Sequence, residues 1–234
     1  MTGRGDSLAR VWEWANERAA SLGTAVSVRV LCDTAVARLE VSGVAVMVGS
    51  GEAWPETAES TDVLATRLAE LAVTVGEGPC LDAGRDGGPV LVADLNSPSS
   101  QRRWPLFAPL AVEAGAGSLF ALPMCLGAIR VGVLALHRER AAGLAPAKLA
   151  DSLTFAELVL RLLLDAQSAN GPATEAELPL QSLQVHQATG MIAGQLDVSM
   201  DDAFARLRAR AFADRRPLTE LSADVVARVV RFDR

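Results

Sequence analysis

The chain has 234 residues, half of them apolar, with a mean hydropathy of +0.24 and a formal net charge of −6. That is core material for one or two domains, and the acidic balance excludes a surface that attracts nucleic acid everywhere, so any contact with a polyanion has to come from a local patch. Three cysteines without metal-ligand spacing exclude a disulfide framework and leave no zinc pattern.

The longest apolar stretch, Leu119 to Leu136, is interrupted by Pro123, Gly127, Arg130 and Gly132, so it does not read as a membrane span. The opening MTGRGDSLARVWEW has no apolar run of the secretory kind. The expectation is a cytoplasmic protein without a membrane partner.

Residues 1–5 read as a disordered lead-in. Asp6 or Ser7 can cap a helix to about Leu22 with Gly23 as its stop, its apolar face comprising Leu8, Val11, Trp12, Ala15 and Ala19. A second helix is expected from about Thr24 to Leu39, carrying Val28, Leu31, Cys32, Ala35 and Leu39. The β-branched run Val44–Val48 predicts a central strand, and a weaker strand is expected near Ala53–Glu59. Thr61 is the candidate cap of a helix through Leu71.

Glycines 76 and 78 with Pro79 mark a turn that no regular element tolerates. Val90–Leu95 predicts a strand, Asn96–Ser100 a loop, and Arg102-Arg103-Trp104-Pro105 the opening of a helix to about Ala114. Ser118–Met124 and Ile129–His137 read as a hairpin joined by residues 125–128, and Pro146 opens a long helix to about Ser168. On that helix Leu149, Leu153, Ala156, Leu160 and Leu163 follow the 4-3-4-3 spacing of a coiled-coil seam, a candidate homodimer contact that could equally pack on the helix's own sheet. Pro and Gly between residues 169 and 180 mark a linker.

From Leu183 to Phe232 three amphipathic helices follow with short breaks. Ser199 caps the second, with Asp201 and Asp202 at the positive end of its dipole. Ala203, Phe204, Leu207, Ala211 and Phe212 form its apolar stripe; Leu218, Leu221, Val225, Val226 and Val229 form that of the third. Pro217 suits the first turn of that third helix. The domain boundaries expected are therefore 1–168, a linker at 169–180 and 181–234.

Two resemblances sharpen this outline. Gln187-Ala188-Thr189-Gly190-Met191-Ile192, Ser199-Met200-Asp201-Asp202-Ala203-Phe204 and Leu207-Arg208-Ala209-Arg210-Ala211, in that order and spacing, resemble the ANTAR family of RNA-binding transcription antiterminators. The family carries Ala-Lys-Gly where this chain has Ala188-Thr189-Gly190, so a cation is missing there. Gly-Glu-Gly-Pro-Cys-Leu-Asp-Ala at 76–83, Val92-Ala93-Asp94-Leu95 and Arg103-Trp104-Pro105-Leu106-Phe107 resemble GAF sensor domains.

The fold expected is α+β, an antiparallel sheet flanked by helices of GAF type followed by a small three-helix domain of ANTAR type. The resemblances imply a dimeric regulator whose first domain senses a small molecule in a pocket near Cys80 and Leu81. Its second domain would hold mRNA stem-loops through Gln187, Ala188, Thr189, Gly190, Arg206, Arg208, Arg210 and Arg215. The competing reading is a protein–protein signalling adaptor that has lost RNA binding, since from Thr174 to Arg234 eight arginines face nine acids.

No catalytic order of Ser, His and Asp stands out, and there is no phosphate-binding glycine fingerprint, so no enzyme and no cofactor are expected. Cys80 reads as a structural cysteine, because a reactive one needs a neighbouring cation or helix dipole. Cys32 and Cys125 read as core, His137 as a rim or surface residue at a strand end, and His186 as packing.

Overall fold

The computed structural model describes residues 3–49, 55–170 and 180–233. The chain divides into two compact units, the second comprising Ala173–Arg234 together with Thr74–Gly76. The expected linker lies largely at 171–179, outside the described residues, as do residues 1–2 and the start of the weak strand foreseen near Ala53.

The first unit opens with helix α1 (Gly3–Leu22), so the helix starts ahead of the expected Asp6 or Ser7 cap. Helix α2 (Val28–Leu39) begins later than the periodicity suggests, because Ser27, in extended conformation, accepts the Val30 N–H at 3.3 Å. Strands β1 (Gly43–Val48) and β2 (Glu56–Ser60) lead to helix α3 (Val63–Val75). Its cap is Asp62, not Thr61: the Asp62 carboxylate accepts the Ala65 N–H at 2.7 Å.

The glycine-proline turn is real at Gly76 and Gly78, which take φ of +76° and +131°, but Pro79 then starts a helix, α4 (Pro79–Asp86). Proline is favourable there because the first turn has no use for its missing N–H. Strand β3 (Val90–Val92) is shorter than expected. The helix expected from Arg102 is two helices, α5 (Pro98–Arg103) and α6 (Phe107–Glu113), since Pro105 cannot continue the first. The long hairpin β4 (Ser118–Leu126) and β5 (Ile129–Arg138) turns at Gly127-Ala128, and α7 (Pro146–Asn170) closes the unit.

The sheet order is β2-β1-β5-β4-β3 and every pairing is antiparallel. Val44, Val46, Phe120, Leu122, Leu134 and Leu136 join Val11, Leu31, Leu39, Phe155 and Val159 in one core. The alternate residues Ala45, Met47, Leu119, Ala121, Val133 and Ala135 are buried as well. Both faces of the sheet are therefore covered, and this is why its strands read as unbroken apolar runs. Each fully buried Phe or Leu contributes about 1.5–3 kcal/mol.

Helix α1 corrects one expectation: Trp12 is 41% exposed, and Trp14 packs instead against the core, with the Arg38 guanidinium 5.0 Å from its ring centroid. Cys125 is partly exposed rather than core.

The second unit is α8 (Leu180–Leu196), α9 (Met200–Ala213) and α10 (Leu218–Val226). Ala188, Ile192, Leu196, Ala203, Phe204, Leu207, Ala211, Leu218, Leu221 and Val225 are its buried apolar residues. Ser199 caps α9 as expected, accepting the Asp202 N–H at 3.1 Å. Phe212 and Val229 do not join the core; they are 41% and 74% exposed. Phe212 sits in the last turn of α9, and Val229 lies beyond the end of α10. Pro217 is the residue before α10 rather than its first.

Candidate nucleic-acid interface

The arginines expected to meet RNA separate into kinds once their surroundings are known. Arg206 and Arg215 are exposed, and among the described residues neither has an ion pair. Arg210 is held by Asp214, Nε to Oδ2 at 2.6 Å, one helical turn away. Arg216 is held by Asp224 at 2.7 Å, and that hydrogen bond raises its pKa above the ordinary value. Arg208 is half-buried, 5.9 Å from the Phe204 ring centroid, and burial lowers its pKa. Half the expected guanidinium face is thus committed within the protein.

The expected contact run on α8 separates in the same way. Gln187 and Gly190 are exposed, whereas Ala188 and Thr189 are 0% and 4% exposed. The Thr189 hydroxyl donates to the Val185 carbonyl at 2.8 Å. Ala188 and Thr189 thus face inward with Ile192, while Gln187 and Gly190 face outward. His186, expected to pack, is exposed.

Sequence reasoning missed Arg228 and Arg231. With Met191, Gly194 and Gln195 they line a cleft of about 280 Å³ beside α8. The signal was faint, because both arginines follow the last amphipathic repeat and carry no spacing of their own. The open character of α8 was more legible: a Cβ added at Gly190 or Gly194 would find no atom within 4 Å.

A family model described as the ANTAR domain matches residues 182–226, the span of these helices. The first unit resembles solved GAF domains. One, from an Acinetobacter phosphoenolpyruvate-protein phosphotransferase, is 14% identical with a TM-score of 0.53, covering 74% of this chain and 99% of that one. Another, from the ptsP phosphotransferase of Coxiella burnetii, is 12% identical with a TM-score of 0.50, covering 70% and 98%. The chain thus joins a unit of GAF-like fold to a carboxyl-terminal segment that matches the ANTAR family model. No curated protein sequence matches it.

In the GAF-type unit the motif residues prove to be a structural clasp. Glu77 Oε1 accepts the backbone N–H groups of Leu106 at 2.6 Å and Phe107 at 2.9 Å, so it closes the start of α6. Asp82 accepts from Trp104 Nε1 at 3.1 Å and pairs with Arg103 at 2.8 Å. Two of the three stretches that carry the GAF resemblance, 76–83 and 103–107, are thereby tied together.

Cys80, expected in a ligand pocket, is 4% exposed, and burial pushes its thiol up to about 12. It is a neutral, inward-facing thiol at physiological pH, which removes the chemistry a redox role needs. Leu81 beside it is partly buried. Among the described residues no cluster of three His, Cys, Asp or Glu side chains is placed to hold a metal, and no helix is long and apolar enough to cross a membrane.

The five residues of the α7 spacing divide by packing. Ala156 and Leu160 are 2% and 5% exposed in the unit's own core, with Leu149 and Leu163 packed against it. Leu153 alone of the five is exposed, at 41%. Four of the five therefore pack on their own unit, the alternative the spacing allowed, and Leu153 remains on the outer face.

Proposed function

We propose that the protein is an RNA-binding regulator of transcription antitermination. Its ANTAR domain holds stem-loops in nascent mRNA, and its GAF-type domain responds to a small molecule. Held in that form, the transcript does not form a competing terminator hairpin and elongation continues. The protein acts in the cytoplasm as a homodimer, each ANTAR domain taking one loop. Control by the GAF-type domain requires a ligand that binds two arrangements of the protein with different affinity.

The observation that carries this reading is that Arg206 and Arg215 are exposed and, among the described residues, without an ion pair, within a bundle that matches the ANTAR model. A planar guanidinium is suited to phosphate and to unpaired bases, and leaving two of them without a carboxylate preserves a local cationic surface on an acidic protein. A mobility-shift titration of a two-hairpin RNA tests it. Binding should weaken as salt rises and weaken further in Arg206→Ala/Arg215→Ala. Absence of RNA binding by the unaltered protein sinks the reading and favours a protein partner for the helices.

A further inference from the structure

Past α10 the chain folds back along α8. The Phe232 backbone N–H donates to Gln195 Oε1 at 3.2 Å and ties the carboxyl-terminal segment to that helix. The cleft between them is lined by Met191, Gly194, Gln195, Arg228 and Arg231. Both arginines are exposed, and among the described residues neither meets a carboxylate. Two guanidiniums on one cleft without a counter-charge repel each other, and the arrangement becomes favourable when an anion lies between them.

The wall of the cleft is bare helix. Gly194, and Gly190 one turn before it, are exposed, with open space where a side chain would stand. Glycine weakens a helix interior; here it leaves the α8 backbone accessible beside two cations. Arg228 adds a second anomaly. Its N–H donates to the Val225 carbonyl at 3.0 Å and the Val229 N–H to the Asp224 carbonyl at 2.9 Å, the paired bonds of a helix end whose left-handed residue is usually glycine. This chain places arginine there, at φ +60°.

We infer that Arg228 and Arg231, with the open Gly190 and Gly194 face of α8, form a phosphate-binding subsite for the RNA sugar-phosphate backbone. The subsite lies beyond the matched ANTAR segment, which ends at residue 226. The inference rests on the RNA-binding reading above and adds to it a specific surface: the strand runs along the glycines of α8, and the two guanidiniums neutralise successive phosphates. Such contacts set affinity and register rather than base preference.

The test is fluorescence anisotropy of a labelled two-hairpin RNA with the full chain, over a salt series, for the unaltered protein and Arg228→Gly/Arg231→Gln. Glycine suits the left-handed position, so Arg228→Gly removes the charge without straining the fold, and a thermal melt verifies this. The variant should bind about ten-fold or more weakly at low salt, and the slope of log affinity against log salt should become shallower by about 1–2. Gly194→Asp, which adds a carboxylate to open space, should weaken binding in the same direction. RNA binding by the unaltered protein with the same affinity and slope in the double variant overturns the subsite alone. A drop in affinity without a change of slope overturns its assignment to phosphate. No binding by the unaltered protein overturns the RNA reading and the subsite with it.

Discussion

His137 Nε2 lies 3.1 Å from Asp62 Oδ2, joining the end of β5 to the start of α3. The imidazole is 3% exposed, against the expectation of a rim position, and its Nδ1 is buried without a hydrogen-bond partner among the described residues. Gly43 pairs with His137 across the β1–β5 ladder. A Cβ at that position would fall inside the van der Waals envelope of both the Asp62 carboxylate and the His137 ring. Gly43→Ala should therefore destabilise the protein by about 2 kcal/mol or more, as overpacking of a tight site does. Urea denaturation measures it, and an unchanged midpoint would show that the pair can move aside.

Asp62 serves two groups at once, since its other oxygen caps α3 through the Ala65 N–H at 2.7 Å. Asp62→Ala loses the cap, worth about 1 kcal/mol, and strips a buried imidazole of its partner, worth about 1–3 kcal/mol. Asp62→Asn keeps an oxygen at the cap and should recover much of the loss. Equal destabilisation by both substitutions would mean that the carboxylate charge, rather than the cap, carries the effect.

Glu77 reaches the two amide N–H groups that open α6. Glu77→Ala leaves both without that acceptor and should cost about 1–3 kcal/mol. Glu77→Gln, which keeps a carbonyl oxygen, should cost less. If the alanine variant melts with the unaltered protein, water replaces the carboxylate and the clasp between the two motifs is not a stabilising device.

The legible parts of this chain were those in which local pattern and final packing agree. The β-branched run at Val44–Val48 and the stripe Ala203, Phe204, Leu207 and Ala211 place themselves, because one period fits one element. The Ser199 cap was readable for the same reason. His137 was not: a histidine at a strand end looks solvated until Asp62, distant in sequence, is folded beside it. The α7 heptad left two readings open, because a 4-3 spacing describes any helix face that meets a flat partner; Ala156 and Leu160 meet the core of their own unit. Arg210 and Arg206 look alike in sequence, yet only Arg210 has Asp214 one turn ahead to hold it. Arg228 and Arg231 acquire meaning only from the return of the chain past α8.

The cysteines should differ sharply toward alkylating reagents. Burial pushes both Cys32 and Cys80 up to about 12, so each is a protonated, enclosed thiol near neutral pH. Cys125 is partly exposed. Native protein treated with iodoacetamide at about pH 8 should be labelled first at Cys125, and at the other two only after denaturation, with mass spectrometry of the peptides as the readout. Rapid labelling of Cys80 in the native state would reopen a chemical role for it.

Arg215 ends α9 as Arg228 ends α10. Its N–H donates to the Phe212 carbonyl at 3.2 Å and the Arg216 N–H to the Ala211 carbonyl at 3.0 Å, with φ of +52° at Arg215. A non-glycine residue in that conformation costs about 1–2 kcal/mol, offset in part by the 0.3–1 kcal/mol that a cation gains at a helix C-terminus. Arg215→Gly should therefore raise the stability of the carboxyl-terminal bundle by about 0.5–1 kcal/mol in a denaturant titration. In the same protein, RNA affinity should fall and its salt dependence should flatten by about 1 for the one phosphate contact removed. A more stable variant that binds RNA as before would take Arg215 out of the interface and leave Arg206 as the α9 contact. A less stable one would show that the arginine is held by its surroundings more firmly than the backbone conformation opposes it.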